Sequence, residues 1–285
     1  MTSPRILLKA WNLRPQKKMG QNFLSDSKTA RLIVARAGVE AADIVLEIGA
    51  GLGALTIPLA SKVAKVFAVE KDRNLARLLR NELAANGIAN VEVLEQDILR
   101  LNIQELARTT GRKIVVMGNL PYNLSSQILV GLIEVRQCIS RSILMFQKEL
   151  AQRIVARPGG RDYGRIAVML QYCAEVVPLI QVKAAQFFPK PQIDSTVLEI
   201  RFEAEKQHPA HDEALLFQVI KAAFSKRRKT LKNALAGSEL GFNAHQAETA
   251  LSQSGIDPTR RAETLTVQEF VALSSTIKGA SRDDA

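Results

Sequence analysis

Four consecutive residues, Asn119-Leu120-Pro121-Tyr122, bring together an amide, a backbone carbonyl, a rigid turn and an aromatic ring. The Asn119 side-chain oxygen can accept one N–H of an exocyclic amine, and the Leu120 carbonyl can accept the other. Pro121 fixes its own φ and removes a competing backbone donor. Tyr122 offers a ring face on which a heterocycle can stack. An aromatic amine is a poor nucleophile because its lone pair is delocalised into the ring. Two acceptors on its hydrogens favour a more tetrahedral nitrogen, able to attack an electrophilic methyl in line. Such a site works by positioning and polarisation and needs no strong general base. In isolation the same four residues also describe a Pro-Tyr turn with a capping Asn.

A second group lies upstream, in Glu47-Ile-Gly49-Ala-Gly51-Leu-Gly53. Glycines at this spacing let a backbone approach a ligand closely. Glu70 follows Gly51 by nineteen residues and can accept from both hydroxyls of a ribose. Asp97, at the end of the next apolar stretch, is placed to accept from an adenine amine. Gly49-x-Gly51-x-x-Ala54 also satisfies the relaxed dinucleotide fingerprint, so a nicotinamide-dependent dehydrogenase fits at this point. Glu47 tilts the choice toward a cofactor bearing a charged amino group, because an acid beside the glycines attracts such a group and repels a pyrophosphate. A base delivered to Asn119 must be flipped out or already lie in a loop. Gln186-Phe187-Phe188-Pro189-Lys190-Pro191 can supply a second aromatic, and Phe187 is expected to sandwich the base against Tyr122.

These residues need elements to carry them. Apolar runs at Ile44–Ile48, Val66–Glu70, Val91–Leu94, Ile114–Met117 and Ile143–Phe146 alternate with helical spacing at Leu55–Ser61, Leu75–Asn86 and Gln127–Val135. That is the βαβ rhythm of a parallel sheet. Each chemistry-bearing residue then falls at the carboxyl end of a strand, where open α/β sheets bind ligands. Glu175–Val182 and Val197–Phe202 read as further strands, and from about Glu205 only helical patterns remain. The expected fold class is α/β: a Rossmann-like class I methyltransferase sheet with a small C-terminal all-helical domain. The expected parts are a basic arm and cofactor-site opening over 1–25, a methyltransferase domain over 26–204, and a helical domain over 205–285.

Composition limits the partners. A formal charge of +11 and a pI near 9.8 attract polyanions. The charge is gathered in blocks: Arg5, Lys9, Arg14, Lys17 and Lys18 precede the first acid, Asp26, and Lys226-Arg227-Arg228-Lys229 forms a second block with Lys232. Cys138 and Cys173 stand apart in apolar surroundings and read as reduced thiols. His208 and His211 lack a third ligand nearby, so no metal is expected. With no long apolar run and no secretory leader, the sequence reads as that of a cytoplasmic protein without a membrane span.

Taken in order, the motifs resemble those of the small-subunit ribosomal RNA adenine N6-dimethyltransferases over nearly the whole chain. The shared motifs run from Gly20-Gln-Asn22-Phe-Leu24 through the glycine loop, Glu70, Asp97 and Asn119-Leu-Pro-Tyr122. They continue with Gln147-Lys-Glu149, Tyr163-Gly-Arg165, Phe187-Phe-Pro-Lys-Pro191 and Asp194-Ser195, and end with Phe224-Ser-Lys-Arg-Arg-Lys-Thr-Leu231 and Arg261-Ala-Glu263. The resemblance implies that Asn22 and Leu24 line the S-adenosylmethionine site with Gly49, Glu70, Asp97 and Asn119. Residue spacing alone would not assign either of the first two. It also implies dimethylation of two adjacent adenosines in the 3′-terminal hairpin loop of small-subunit (16S) rRNA, within a precursor ribosomal particle, by a monomeric enzyme. Ala50 stands where the family often has Pro. The competing readings are a large-subunit rRNA adenine N6-methyltransferase and a non-catalytic RNA-binding assembly or transcription factor.

Overall fold

The computed structural model describes residues 2–16, 19–203, 207–226 and 228–283. Lys17, Lys18 and Arg227 of the two basic blocks lie outside the described residues. So do Ala204 and Glu205, where the sequence reading divides the chain.

The chain forms two compact units. The first, Met1–Ala151 with Val176–Phe202, is built on a sheet. Its parallel strands are β2 (Ile44–Ile48), β3 (Lys65–Glu70), β4 (Val91–Glu95), β5 (Ile114–Asn119) and β6 (Ile139–Gln147). With β7 (Ala174–Val182) and β9 (Ser195–Phe202) they make seven strands in the order β4-β3-β2-β5-β6-β9-β7. β9 runs antiparallel to β6. Along the chain the parallel strands alternate with helices α2 (Ser27–Arg36), α3 (Thr56–Ala60), α4 (Arg73–Ala85), α5 (Ile103–Thr110) and α6 (Ser125–Glu134), and α7 (Lys148–Ile154) follows β6. Strands β2, β3 and β5 are nearly continuous apolar runs because helices cover both faces of such a sheet. The chain winds outward from β2 through β3 to β4, then returns to β5 on the other side of β2. The switch point therefore lies between the carboxyl ends of β2 and β5, which hold Glu47 and Asn119.

Two local features set the geometry of that point. At Gly118 a Cβ would lie 2.5 Å from the Ile48 carbonyl oxygen, so only glycine lets β5 pass β2 at this separation. Helix α4 begins directly beyond β3. Its N-cap Asp72 accepts from Asn74 N and Leu75 N, and Leu75, Leu78, Leu79 and Leu83 form its buried stripe.

The N-terminal segment adds structure that the sequence reading left as an arm. Helix α1 (Pro4–Ala10) starts on a proline and buries Leu7 and Leu8 in a small cluster with Phe23, Leu52, Leu75 and Leu78. Strand β1 (Phe23–Leu24) pairs antiparallel with β8 (Phe187–Phe188), matching Leu24 to Phe187 and Phe23 to Phe188.

The second unit, Gln152–Glu175 with Glu203–Ala285, is helical. It contains α8 (Arg165–Cys173), α9 (Glu213–Ala223), α10 (Leu231–Leu235), α11 (Ala244–Gln253) and α12 (Val267–Asp283). Phe224 joins its aromatic core, with ring centroids 6.3 Å from Tyr163 and 5.9 Å from Phe270. Residues 152–175, which the sequence reading gives to the sheet domain, group here with the later helices. Cys138 and Cys173 form no disulfide among the described residues. Among the described residues, no three His, Cys, Asp or Glu side chains gather as a metal site, and no helix is long and apolar enough to cross a membrane.

Candidate active site

A cleft of about 280 Å³ opens at the switch point. Asn22, Leu24, Gly49, Gly51, Glu70 and Asp97 line it, together with the run Asn119-Leu120-Pro121-Tyr122. The structure thus brings together residues that lie 22 to 122 in the sequence.

On one wall the loop after β2 hangs from β3: Gly49 N and Ala50 N donate to the Val69 carbonyl at 2.9 and 3.1 Å. Gly51 holds a left-handed backbone (φ 55°), and a Cβ there would sit 3.3 Å from the Phe23 ring. This is a cradle in which a side chain would crowd the cleft. Glu70 is 9% exposed. Its Oε2 accepts from Gly51 N at 2.9 Å and its Oε1 from Asp72 N at 2.8 Å. Burial raises its carboxyl above the ordinary range, against those two backbone donors. A carboxylate has about four lone-pair sites, so acceptors remain for a diol.

Glu47 lies deeper, 2% exposed. Its Oε2 has no partner among the described residues, and burial, with the charge of Glu70 adding to it, pushes its carboxyl up to about 8. Asp97 is the most open of the three acids. Its Oδ2 accepts from Lys71 Nζ at 2.7 Å and its Oδ1 from Leu99 N at 3.1 Å. The lysine hydrogen bond holds its carboxyl below the usual range.

On the other wall, Asn119 Nδ2 donates to the Asn22 carbonyl at 3.0 Å. That bond fixes which end of the amide is which. The Oδ1 is buried and accepts nothing among the described residues. A buried acceptor left open costs free energy, on the order of 1–3 kcal/mol, unless a ligand donor fills it. Leu120 is anchored by its N–H to the Met145 carbonyl at 3.3 Å. The Pro121 carbonyl takes Leu124 N and Ser125 Oγ, both at 3.0 Å, which closes the turn. Tyr122 is half-buried, its hydroxyl 3.5 Å from Ser195 Oγ, and burial raises its phenol.

Phe187 is not among the lining residues. It is 3% exposed and packs in the core cluster with Leu24, Val182 and Val197. Alternation along β8 sends neighbouring side chains to opposite faces. Phe188 therefore turns to the cluster under α1, with the Arg5 guanidinium 5.2 Å from its ring centroid. Among the described residues the aromatics that line the cleft are Tyr122, beside Asn119, and Phe23, beside the glycine loop.

Sequence reasoning missed Lys71, Gln96 and Ile98, which also line the cleft. The signal for Ile98 was its place directly after Asp97 at a strand end. Lys71 gave none, since its role comes from a side chain bridging two strand ends.

The donor set fits S-adenosylmethionine. There is a glycine cradle, a ribose-ready carboxylate at Glu70, a more open carboxylate at Asp97, and an apolar strip of Leu24, Leu75 and Ile98. Glu47, expected from sequence to meet a charged amino group, is held in its protonated form by burial.

Comparison with known proteins agrees. The family described as ribosomal RNA adenine dimethylase matches residues 12–278. A ribosomal RNA small subunit methyltransferase A of Desulforapulum autotrophicum is 52% identical, covering 97% of each chain. A protein of the same name from Magnetococcus marinus is 41% identical, over 95% of each. Among solved structures, a dimethyladenosine transferase from Plasmodium falciparum superposes with a TM-score of 0.70 at 24% identity, covering 88% of this chain and 95% of that one. The 23S rRNA methyltransferase ErmE gives 0.64 at 25% identity, covering 90% and 99%. The sheet is thus that of the class I methyltransferases.

Proposed function

This chain belongs to the ribosomal RNA adenine dimethylase family, and from that membership we propose how its cleft works and on what. The protein is an S-adenosylmethionine-dependent rRNA adenine N6-dimethyltransferase. Its targets are two adjacent adenosines in the 3′-terminal hairpin loop of small-subunit rRNA, converted to N6,N6-dimethyladenosine within a precursor particle. It acts as a monomer in the cytoplasm. The basic residues Lys226, Arg228 and Lys229, all exposed, help to hold the phosphate backbone.

The observation that carries this reading is the open, buried Oδ1 of Asn119. When bound, S-adenosylmethionine supplies an electrophilic sulfonium methyl. Gly49, Gly51, Glu70 and Asp97 hold it, with Asn22 and Leu24 closing the same wall. Asn119 Oδ1 accepts one N–H of the adenine amine, and the Leu120 carbonyl accepts the other. Each acceptor draws the nitrogen lone pair out of conjugation and aims it. Tyr122 stacks on the base and keeps it in plane with the notch. No side chain is required as a strong base, because the nitrogen sheds its proton once it is substituted. The polarising acceptors are fixed before substrate arrives, so little reorganisation is left for the reacting complex. Phe187 stands behind this wall and supports Leu24.

The test is methylation of purified precursor small subunits beside large-subunit RNA, with the labelled base identified by mass spectrometry. Label confined to large-subunit RNA rejects the assignment of target.

A further inference from the structure

Asp72 is 9% exposed and touches both walls of the cleft. Through its backbone N–H it donates to Glu70 Oε1 at 2.8 Å. Its Oδ1 caps α4, accepting from Asn74 N at 2.9 Å and Leu75 N at 3.4 Å. A cap needs no more than this one oxygen. The second oxygen faces elsewhere, and Oδ2 accepts from Gln16 Nε2 at 2.9 Å and Gln21 Nε2 at 3.2 Å. The two glutamines are tied to each other, Gln16 N donating to Gln21 Oε1 at 2.8 Å. The next residue is Asn22, whose carbonyl receives Asn119 Nδ2 at 3.0 Å.

We propose that Asp72 is a positioning residue for methyl transfer, anchoring the segment before Asn22 so that the Asn22 carbonyl holds the Asn119 amide with its oxygen toward the substrate amine. This role rests on Asn119 acting as the acceptor for that amine. A backbone carbonyl orients an amide only as well as its own segment is held. Among the described residues the side-chain hydrogen bonds from Gln16 and Gln21 to the sheet converge on this one carboxylate oxygen, while Gly20 lies close to the Pro121–Asn123 turn.

The substitution Asp72→Asn separates the functions. Asparagine caps helices as well as aspartate does, and the Glu70 contact comes from a backbone N–H that remains. One acceptor oxygen is gone, however, so either the cap or the glutamine pair must face an NH2 group. If the pair faces it, donor meets donor and the segment loosens. Adding Gln21→Glu gives that NH2 an acceptor and restores the link with its polarity reversed.

The experiment measures single-turnover methylation of precursor small subunits, with S-adenosylmethionine affinity measured separately by calorimetry. Asp72→Asn should slow the chemical step on the order of tenfold, with cofactor affinity within about twofold, and the added Gln21→Glu should recover most of the lost rate. Full rate in Asp72→Asn overturns the proposal. So does a rate loss that Gln21→Glu leaves unrepaired, or one matched by an equal loss of cofactor affinity, since both describe a helix cap and nothing more. Should Asp72→Asn fail to fold, Gln21→Ala carries the same test, with a slowed step expected and full rate again fatal. A wild-type protein that labels no RNA overturns the functional reading itself, which separates that failure from this one.

Discussion

On the cofactor wall both oxygens of Glu70 already receive a backbone N–H, whereas on the opposite wall the Asn119 amide has its nitrogen satisfied and its oxygen left open. The first arrangement uses the main chain of one βαβ turn, so its geometry comes with the fold. The second depends on a single bond between residues 97 positions apart in the chain. Ribose recognition is therefore expected to be robust to change elsewhere, and amine recognition fragile. The contrast also fits the division of labour. A cofactor must bind and leave at every turnover, while the amine must be met by acceptors that do not move.

The largest expected effect is on the fragile wall. Asn119→Ala should lower kcat by roughly 10²–10³-fold, as removal of one preorganised polar group does. S-adenosylmethionine affinity by calorimetry should fall far less than turnover, although Asn119 also lines the cofactor cleft. Near-normal turnover would erase the contrast between the walls. Next, Glu70→Gln leaves one amide NH2 facing a backbone donor, a buried mismatch costing about 1–3 kcal/mol. This should appear in the KM for S-adenosylmethionine more than in kcat with saturating cofactor; a pure kcat effect would move Glu70 to the other wall.

Glu47 sharpens the comparison through pH. Its carboxyl is raised from 4.5 to about 8 in the folded chain, chiefly by burial. Between those values the folded chain keeps a proton that the unfolded chain has released, so stability falls as pH rises through that window. Glu47→Gln removes the titration. Relative to wild type it should gain on the order of 1–3 kcal/mol more at pH 8 than at pH 5, read from urea unfolding at the two pH values. A difference that does not change with pH would mean the buried carboxyl is already ionised. The smallest effect belongs to the open end of the wall. Lys71 is 57% exposed in its pair with Asp97, so Lys71→Ala should cost less than about 1 kcal/mol in thermal unfolding. A larger loss would make that rim as well built as Glu70.

The sheet and its order of chemistry were legible because β2 to β6 are apolar runs cut by helical spacing, and each site residue falls at a strand end. Ile44–Ile48 appears with the bounds expected. The glycine loop, Glu70, Asp97 and Asn119 followed from that logic, and all line one cleft. Asn22 and Leu24 came only from resemblance, because a two-residue strand has no period to read. Phe187 shows the same blind spot: an antiparallel bridge to Leu24 decides which way the ring turns, and nothing local in Phe-Phe-Pro announces that bridge. Helix α1 was obscured by its charge, since beyond its first residue, Pro4, only Leu7 and Leu8 carry its buried face. The grouping of residues 152–175 with the later helices depends on contacts far apart in the chain, which composition does not encode.

The missing side chain at Gly118 has a wider consequence. The loop that carries the methyl donor and the notch that receives the base spring from adjacent rails, and the gauge between those rails is set where Gly118 meets Ile48. Even an alanine there would wedge the rails apart. The span across which the methyl must travel would then widen without any residue of either wall being altered, an enzyme silenced from beneath its own floor.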